Sequence, residues 1–197
     1  AHGLATGVLR SAVPEAQVGI ALNPTTIFPR DSTSETDRAA AIVIDGLRNR
    51  MFLDPLLRGA YPVDMLTHLE PFGLGDVVAD GDLELIGAPL DLLGINYYDE
   101  SVVSAPSASL AAIPPASVPP ADIDRTGVDD GGALRHMVSS PFVGAEEVRF
   151  HQRGLPVTAQ GWEIRPHGLR DLLVRIRTDY PDVPPVYITD NGAAFDD

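Results

Sequence analysis

The chain has 197 residues, 44% of them hydrophobic, and a formal net charge of −14. This is enough apolar material for a domain with its own core, and too much for a disordered chain. The acidic balance argues against nucleic acid and anionic membrane surfaces, which call for clustered Lys and Arg, and leaves neutral ligands such as sugars unaffected.

In chain order, the first ten residues, A-H-G-L-A-T-G-V-L-R, read as the interior of a helix. Val18-Gly-Ile-Ala-Leu-Asn23 follows as an unbroken apolar run, the pattern of a parallel strand covered on both faces. A helix is predicted from about Ser32, where Ser32-x-x-Glu35 has the form of a capping box. Ala40, Ile44, Leu47 and Met51 supply its apolar stripe, and Asp54-Pro55 should break it. A short helix should follow Tyr61-Pro62. Leu92-Leu-Gly-Ile-Asn-Tyr-Tyr98 is a second buried strand. Ser104 to Asp130, rich in Ala, Pro, Ser and Asp with Pro114-Pro115 and Pro119-Pro120, reads as an exposed, extended loop. Leu169, Leu172, Leu173, Ile176 and Tyr180 form one stripe of a helix over Gly168 to Tyr180, bounded by Pro166 and Pro181. Val186-Tyr-Ile-Thr189 is the third apolar strand. Helices between parallel strands give an α/β fold with long inserted loops, in one domain without internal repeats.

No run of about 18 apolar residues suggests a membrane-spanning helix. With no Cys, disulfides and thiolate metal sites are excluded, and a reducing, cytoplasmic location is the expectation. His2, His68, His136, His151 and His167 show no metal-binding spacing. Dinucleotide, P-loop and serine-hydrolase motifs are absent, so no cofactor or metal is expected.

The three apolar strands end in polar side chains: Asn23 on the first, Asn96, Tyr97 and Tyr98 on the second, Asp190 and Asn191 on the third. Parallel sheets place functional groups at the C-terminal ends of their strands, so these ends suggest one shared rim. Asp190-Asn191-Gly192 is also ordinary turn chemistry. Trp162, the only tryptophan, reads equally as a packing anchor or as a flat platform for a sugar ring.

Taken together, four segments resemble glycoside hydrolase family 1, the retaining β-glucosidases and their relatives. Gly94-Ile95-Asn96-Tyr97-Tyr98 matches the family's G-[IVL]-N-Y-Y, and Ile188-Thr189-Asp190-Asn191-Gly192 its [VI]-T-E-N-G. Gly161-Trp162-Glu163-Ile164-Arg165-Pro166-His167-Gly168-Leu169 resembles G-W-E-[IV]-x-P-E-G-L. Arg48-Asn49-Arg50-Met51-Phe52-Leu53-Asp54-Pro55-Leu56 is similar to an N-R-W-F-L-D-P helix. The motifs come in the family's order and cover nearly the whole chain.

The resemblance implies a partial (β/α)₈ barrel covering strands 5 to 7 with their helices and long loops, with residues 1 to 13 as the end of helix 4. All 197 residues would belong to a single catalytic domain, whose partners are the remaining half of the barrel and a small carbohydrate such as a β-glucoside. It also implies two-carboxylate retaining hydrolysis, with Asp190 at the nucleophile position and Tyr98 hydrogen-bonding the nucleophile and tuning its ionisation. Asn96 and Asn23 would support the glycone subsite and Trp162 the aglycone side. Three departures accompany this reading: no N-E-P acid/base motif, no W-S-x-x-D-N-x-E-W segment, and Asp where the family has Glu. The chain alone is therefore expected to be inactive and prone to associate. A carbohydrate-binding remnant with lost catalysis is the alternative.

Overall fold

The computed structural model describes residues 1–106 and 138–195. Most of the loop expected over Ser104 to Asp130 lies outside the described residues. In chain order the strands are β1 Gly19–Leu22, β2 Ile27–Pro29, β3 Leu92–Asn96, β4 Ser101–Ser104, β5 Val138–Ser139, β6 Arg149–His151 and β7 Val186–Asp190. The α-helices are α1 His2–Ala12, α2 Glu35–Asp45, α3 Met51–Arg58, α4 Val63–Leu69, α5 Leu74–Val77, α6 Asp82–Ile86 and α7 His167–Asp179. The described residues form two compact units.

The first unit comprises residues 1–26, 45–98 and 166–192. Its frame is a parallel sheet in the order β1-β3-β7, the three apolar runs read from the sequence. Side chains alternate along the central strand. On one face Leu93 and Ile95 are fully buried, and together with Tyr97 they join Leu53, Leu172, Ile176 and Tyr180 in a single apolar cluster. The predicted stripe of α7 is what covers them. Each such side chain contributes about 1.5–3 kcal/mol by leaving water. Gly94, Asn96 and Tyr98 take the opposite face.

Tyr180 closes the far end of this core. Its hydroxyl donates to Asp54, while the Arg58 guanidinium lies 4.6 Å from the centre of the Tyr180 ring and donates to the Asp179 carbonyl at 2.8 Å. Burial and the bond to Asp54 push the Tyr180 phenol well above the usual tyrosine range. The phenol therefore stays a donor, and α3 is tied to the end of α7.

Two local expectations need correction. The cap of α2 is Ser34 rather than Ser32: the Asp31 carboxylate accepts from the Thr33 N–H at 2.8 Å and from its hydroxyl at 2.7 Å, and this turn delays the helix. Ser34 Oγ then accepts from the Asp37 N–H at 3.2 Å. Asp54-Pro55 does not break the helix either. A π turn over Gly46–Arg50 joins α2 to α3, and Pro55 is buried inside α3. Pro55 lacks the N–H that would bond the Met51 carbonyl, and Met51 is the first residue after the π turn.

The second unit comprises residues 27–44, 99–165 and 193–197. It holds a mixed sheet in the order β2-β4-β6-β5, with β2 parallel to β4 and the other pairs antiparallel. Val102 and Val103 are buried within it, and Ser104 Oγ lies 2.8 Å from His151 Nε2 across the β4–β6 pair. Among the described residues, no helix is long and apolar enough to cross a membrane.

Candidate active site

The site is assembled at the C-terminal end of the parallel sheet. Pairing between β3 and β7 runs in step through Ile95 and Ile188, and the next pair is Asn96 with Asp190. Thr189 is therefore one residue too many, a β-bulge. Bulges interrupt the strict alternation of a strand and re-aim the next side chain. Here the bulge brings Asp190 level with Asn96. The pairing then continues past the strand ends: the Tyr97 N–H donates to the Asp190 carbonyl at 3.0 Å, and Asn191 Nδ2 donates to the Tyr97 carbonyl at 2.5 Å.

Alternation also separates the two adjacent tyrosines. Tyr97 turns into the apolar core at 4% exposure, and Tyr98 emerges at the rim. There the Tyr98 hydroxyl donates to Asp190 Oδ2. The other carboxylate oxygen has no hydrogen-bond partner among the described residues, and Asp190 is exposed. The arrangement is a carboxylate held by one oxygen and open at the other, suited to attack on an electrophilic carbon or to proton abstraction.

The bond to Asp190 raises the Tyr98 phenol above its ordinary value of 10.0. A raised value means the proton is held more tightly in the folded chain. The contribution of this bond is complete below the ordinary tyrosine value and is lost as pH climbs through that of Tyr98. Spectrophotometric titration of phenolate should therefore show that the chromophore removed by Tyr98→Phe is one that ionises late. A missing chromophore with ordinary titration would mean that the bond does not form in solution.

Asn96 is drawn into the same cluster, its Oδ1 accepting from the Thr189 hydroxyl at 2.6 Å. Asn23 lies just past β1 and is exposed, and no side-chain hydrogen bond joins it to the cluster among the described residues. Trp162 belongs to the second unit. It is half-buried on a hairpin in which Val157 bridges Glu163, the Thr158 N–H donates to the Trp162 carbonyl at 2.9 Å, and Gly161 turns the chain at φ +77°. The buried Glu163 carboxylate fixes the hairpin base by accepting from the N–H groups of Arg153 at 2.7 Å and Leu155 at 2.9 Å.

Residue-by-residue reading missed several supports. Thr189 had no signal apart from its place before Asp190. Asn49 is 1% exposed in the π turn, where its side chain accepts from the Thr25 N–H at 3.0 Å and donates to the Thr25 carbonyl at 2.8 Å. This two-sided clasp fixes the segment that follows Asn23. A polar residue on the inward side of an otherwise apolar helix was the available clue.

The chain is similar to known proteins throughout its length. The family model for glycosyl hydrolase family 1 matches residues 1–197. The bifunctional β-D-glucosidase/β-D-fucosidase of Bifidobacterium breve is 31% identical over the whole chain, which spans 36% of that protein. Thermostable β-glucosidase B of Thermobispora bispora is 36% identical over the whole chain, which spans 33% of it. Among solved structures, the psychrophilic β-glucosidase BglU from Micrococcus antarcticus is 44% identical with a TM-score of 0.79, covering 98% of this chain and 38% of that one. The chain thus spans about a third of the length of its relatives. Since the family match extends over every residue, the chain belongs to glycosyl hydrolase family 1.

Proposed function

We propose that this chain is the part of a retaining β-glucosidase that supplies strands 5 to 7 of a single catalytic (β/α)₈ barrel, with β1, β3 and β7 as those strands. The observation that supports this most directly is the Tyr98–Asp190 hydrogen bond at the C-terminal end of a parallel sheet. In this reading Asp190 attacks the anomeric carbon of a bound β-glucoside. A carboxylic acid supplied by the rest of the full-length protein protonates the departing oxygen. A glycosyl–enzyme ester forms, and water then cleaves it. Tyr98 orients the attacking carboxylate. Asn96 and Asn23 serve the glycone subsite and Trp162 the aglycone side. The substrate is a neutral sugar, and the 197-residue chain alone does not turn it over.

Asp in place of the family's Glu supports a second reading, a carbohydrate-binding protein with lost catalysis. The two separate in one experiment. The full-length protein is treated with a 2-deoxy-2-fluoro-β-glucoside bearing a good leaving group, digested and weighed. The proposal expects the sugar mass on the peptide containing Asp190. Saturable sugar binding without that adduct would leave the second reading in its place.

A further inference from the structure

The Asn96 side chain has an acceptor end and a donor end, and the surroundings decide which of them faces the site. In the structure the acceptor end faces Thr189. Its hydroxyl donates to Asn96 Oδ1 at 2.6 Å, which occupies the acceptor end. The Nδ2 end is thereby left as a donor with no partner among the described residues.

Thr189 itself is exposed but lies close against the neighbouring strand. It is the bulge residue between Ile188 and Asp190. A Cβ added at Gly94 would stand 2.9 Å from Thr189 Cγ2, 3.0 Å from its Oγ1 and 3.1 Å from the Ala21 α-carbon. The Thr189 side chain thus packs over the bare α-carbon of Gly94, on the face that also holds Asn96. Gly94, Asn96 and Thr189 form a three-point seat immediately before Asp190.

We propose that Thr189 is a positioning residue whose hydroxyl holds the Asn96 side chain in place beside Asp190. The amide held there has its other end available to a sugar oxygen beside the carbon that Asp190 attacks. The inference rests on the reading of Asp190 as the nucleophile. A residue present only to suit a strand would be served equally by valine, which has the same branched shape. Valine keeps that shape and removes the bond that holds the Asn96 amide.

The test compares Thr189→Val and Thr189→Ser in the full-length protein on an aryl β-glucoside. Thr189→Val is expected to lower kcat by about 10- to 100-fold with KM within about threefold, as for a lost hydrogen bond that matters most in the transition state. Thr189→Ser should restore kcat to within about threefold of the parent. In NMR spectra the Asn96 side-chain amide signals should move in the valine variant and return in the serine variant. Unchanged kcat in Thr189→Val, an equal loss in Thr189→Ser, or unmoved Asn96 signals would each overturn the proposal. If Asp190 fails to take the fluoroglucoside label, the nucleophile reading falls, and the NMR comparison still decides whether Thr189 orients Asn96.

Discussion

Replacing Asp190 by Glu in the full-length protein is expected to raise kcat on an aryl β-glucoside by about 10²-fold, and replacing it by Asn to abolish turnover. The first effect follows from reach. An Asp carboxylate stands roughly 1 to 1.5 Å behind that of a Glu on the same backbone, and misplacement by about 1 Å can cost about 10²-fold in rate. The structure shows how the shorter side chain is used: it is committed to the Tyr98 hydroxyl through Oδ2. A Glu at this position can keep that bond and still extend further toward the substrate. The bulge at Thr189 works in the opposite sense, because it repositions the backbone that bears Asp190. If the bulge already made up the missing length, Glu would overshoot and the variant would be slower than the parent. A Glu variant that gains nothing while glucose still binds saturably would favour the binding-protein reading. The Asn variant separates charge from shape, since it keeps an acceptor for Tyr98 and removes the nucleophile. Residual activity in Asp190→Asn comparable to the parent would exclude Asp190 from the chemistry.

The parallel sheet was legible because its strands are short, continuous apolar runs, and the helix α7 because its stripe repeats with helical period. What reads well is local and repeated. The bulge at Thr189 left no trace, since it exists only as a mismatch between the spacing of β7 and that of β3, two strands distant in sequence. The mixed sheet of the second unit was equally hidden: its strands are two to four residues long, too short for any period to show. Ser32 and Ser34 are both sound caps by residue type, and the choice between them was made by the Asp31 turn. Pro55 misled because it lies within α3, and the π turn that precedes this helix has no composition of its own. At the site, the residue types pointed only to a polar rim. The pairing of Tyr98 with Asp190 was expected from the family resemblance, and the structure supplies its geometry. Thr189 and Asn49 act through single long-range contacts, which no sequence window contains.

Asp45→Ala is expected to destabilise the protein by about 3 kcal/mol, the lower end of the range for breaking a buried ion pair by removing one partner. Asp45, with its side chain 13% exposed, is the hub of a network in the first unit. It receives both terminal nitrogens of Arg175, at 2.5 and 2.7 Å, and Arg50 Nε at 3.1 Å. Asn49 Nδ2 donates to it at 2.6 Å. Arg50 reaches on to Asp64 at 2.6 and 2.8 Å, and Arg175 to Asp179 at 3.2 Å. Removing the hub leaves two guanidinium groups without their shared counter-charge and frees the amide that clasps Thr25. The lower end is appropriate because Arg50 and Arg175 are 20% and 31% exposed, so water recovers part of the loss. Asp45→Asn should recover only part of this, as it keeps one acceptor oxygen, gives up the charge and turns an N–H₂ toward the guanidinium donors. Urea unfolding of both variants gives these values, and a double-mutant cycle with Arg175→Met isolates the pair. A coupling energy below about 0.5 kcal/mol would reduce the network to an ordinary surface ion pair. A coupling of several times that value would make Asp45 the joint through which α7, the helix that leads into β7, is held to the π turn whose Asn49 clasps Thr25, just past β1. The two strand ends that carry Asn23 and Asp190 would then be secured from one carboxylate.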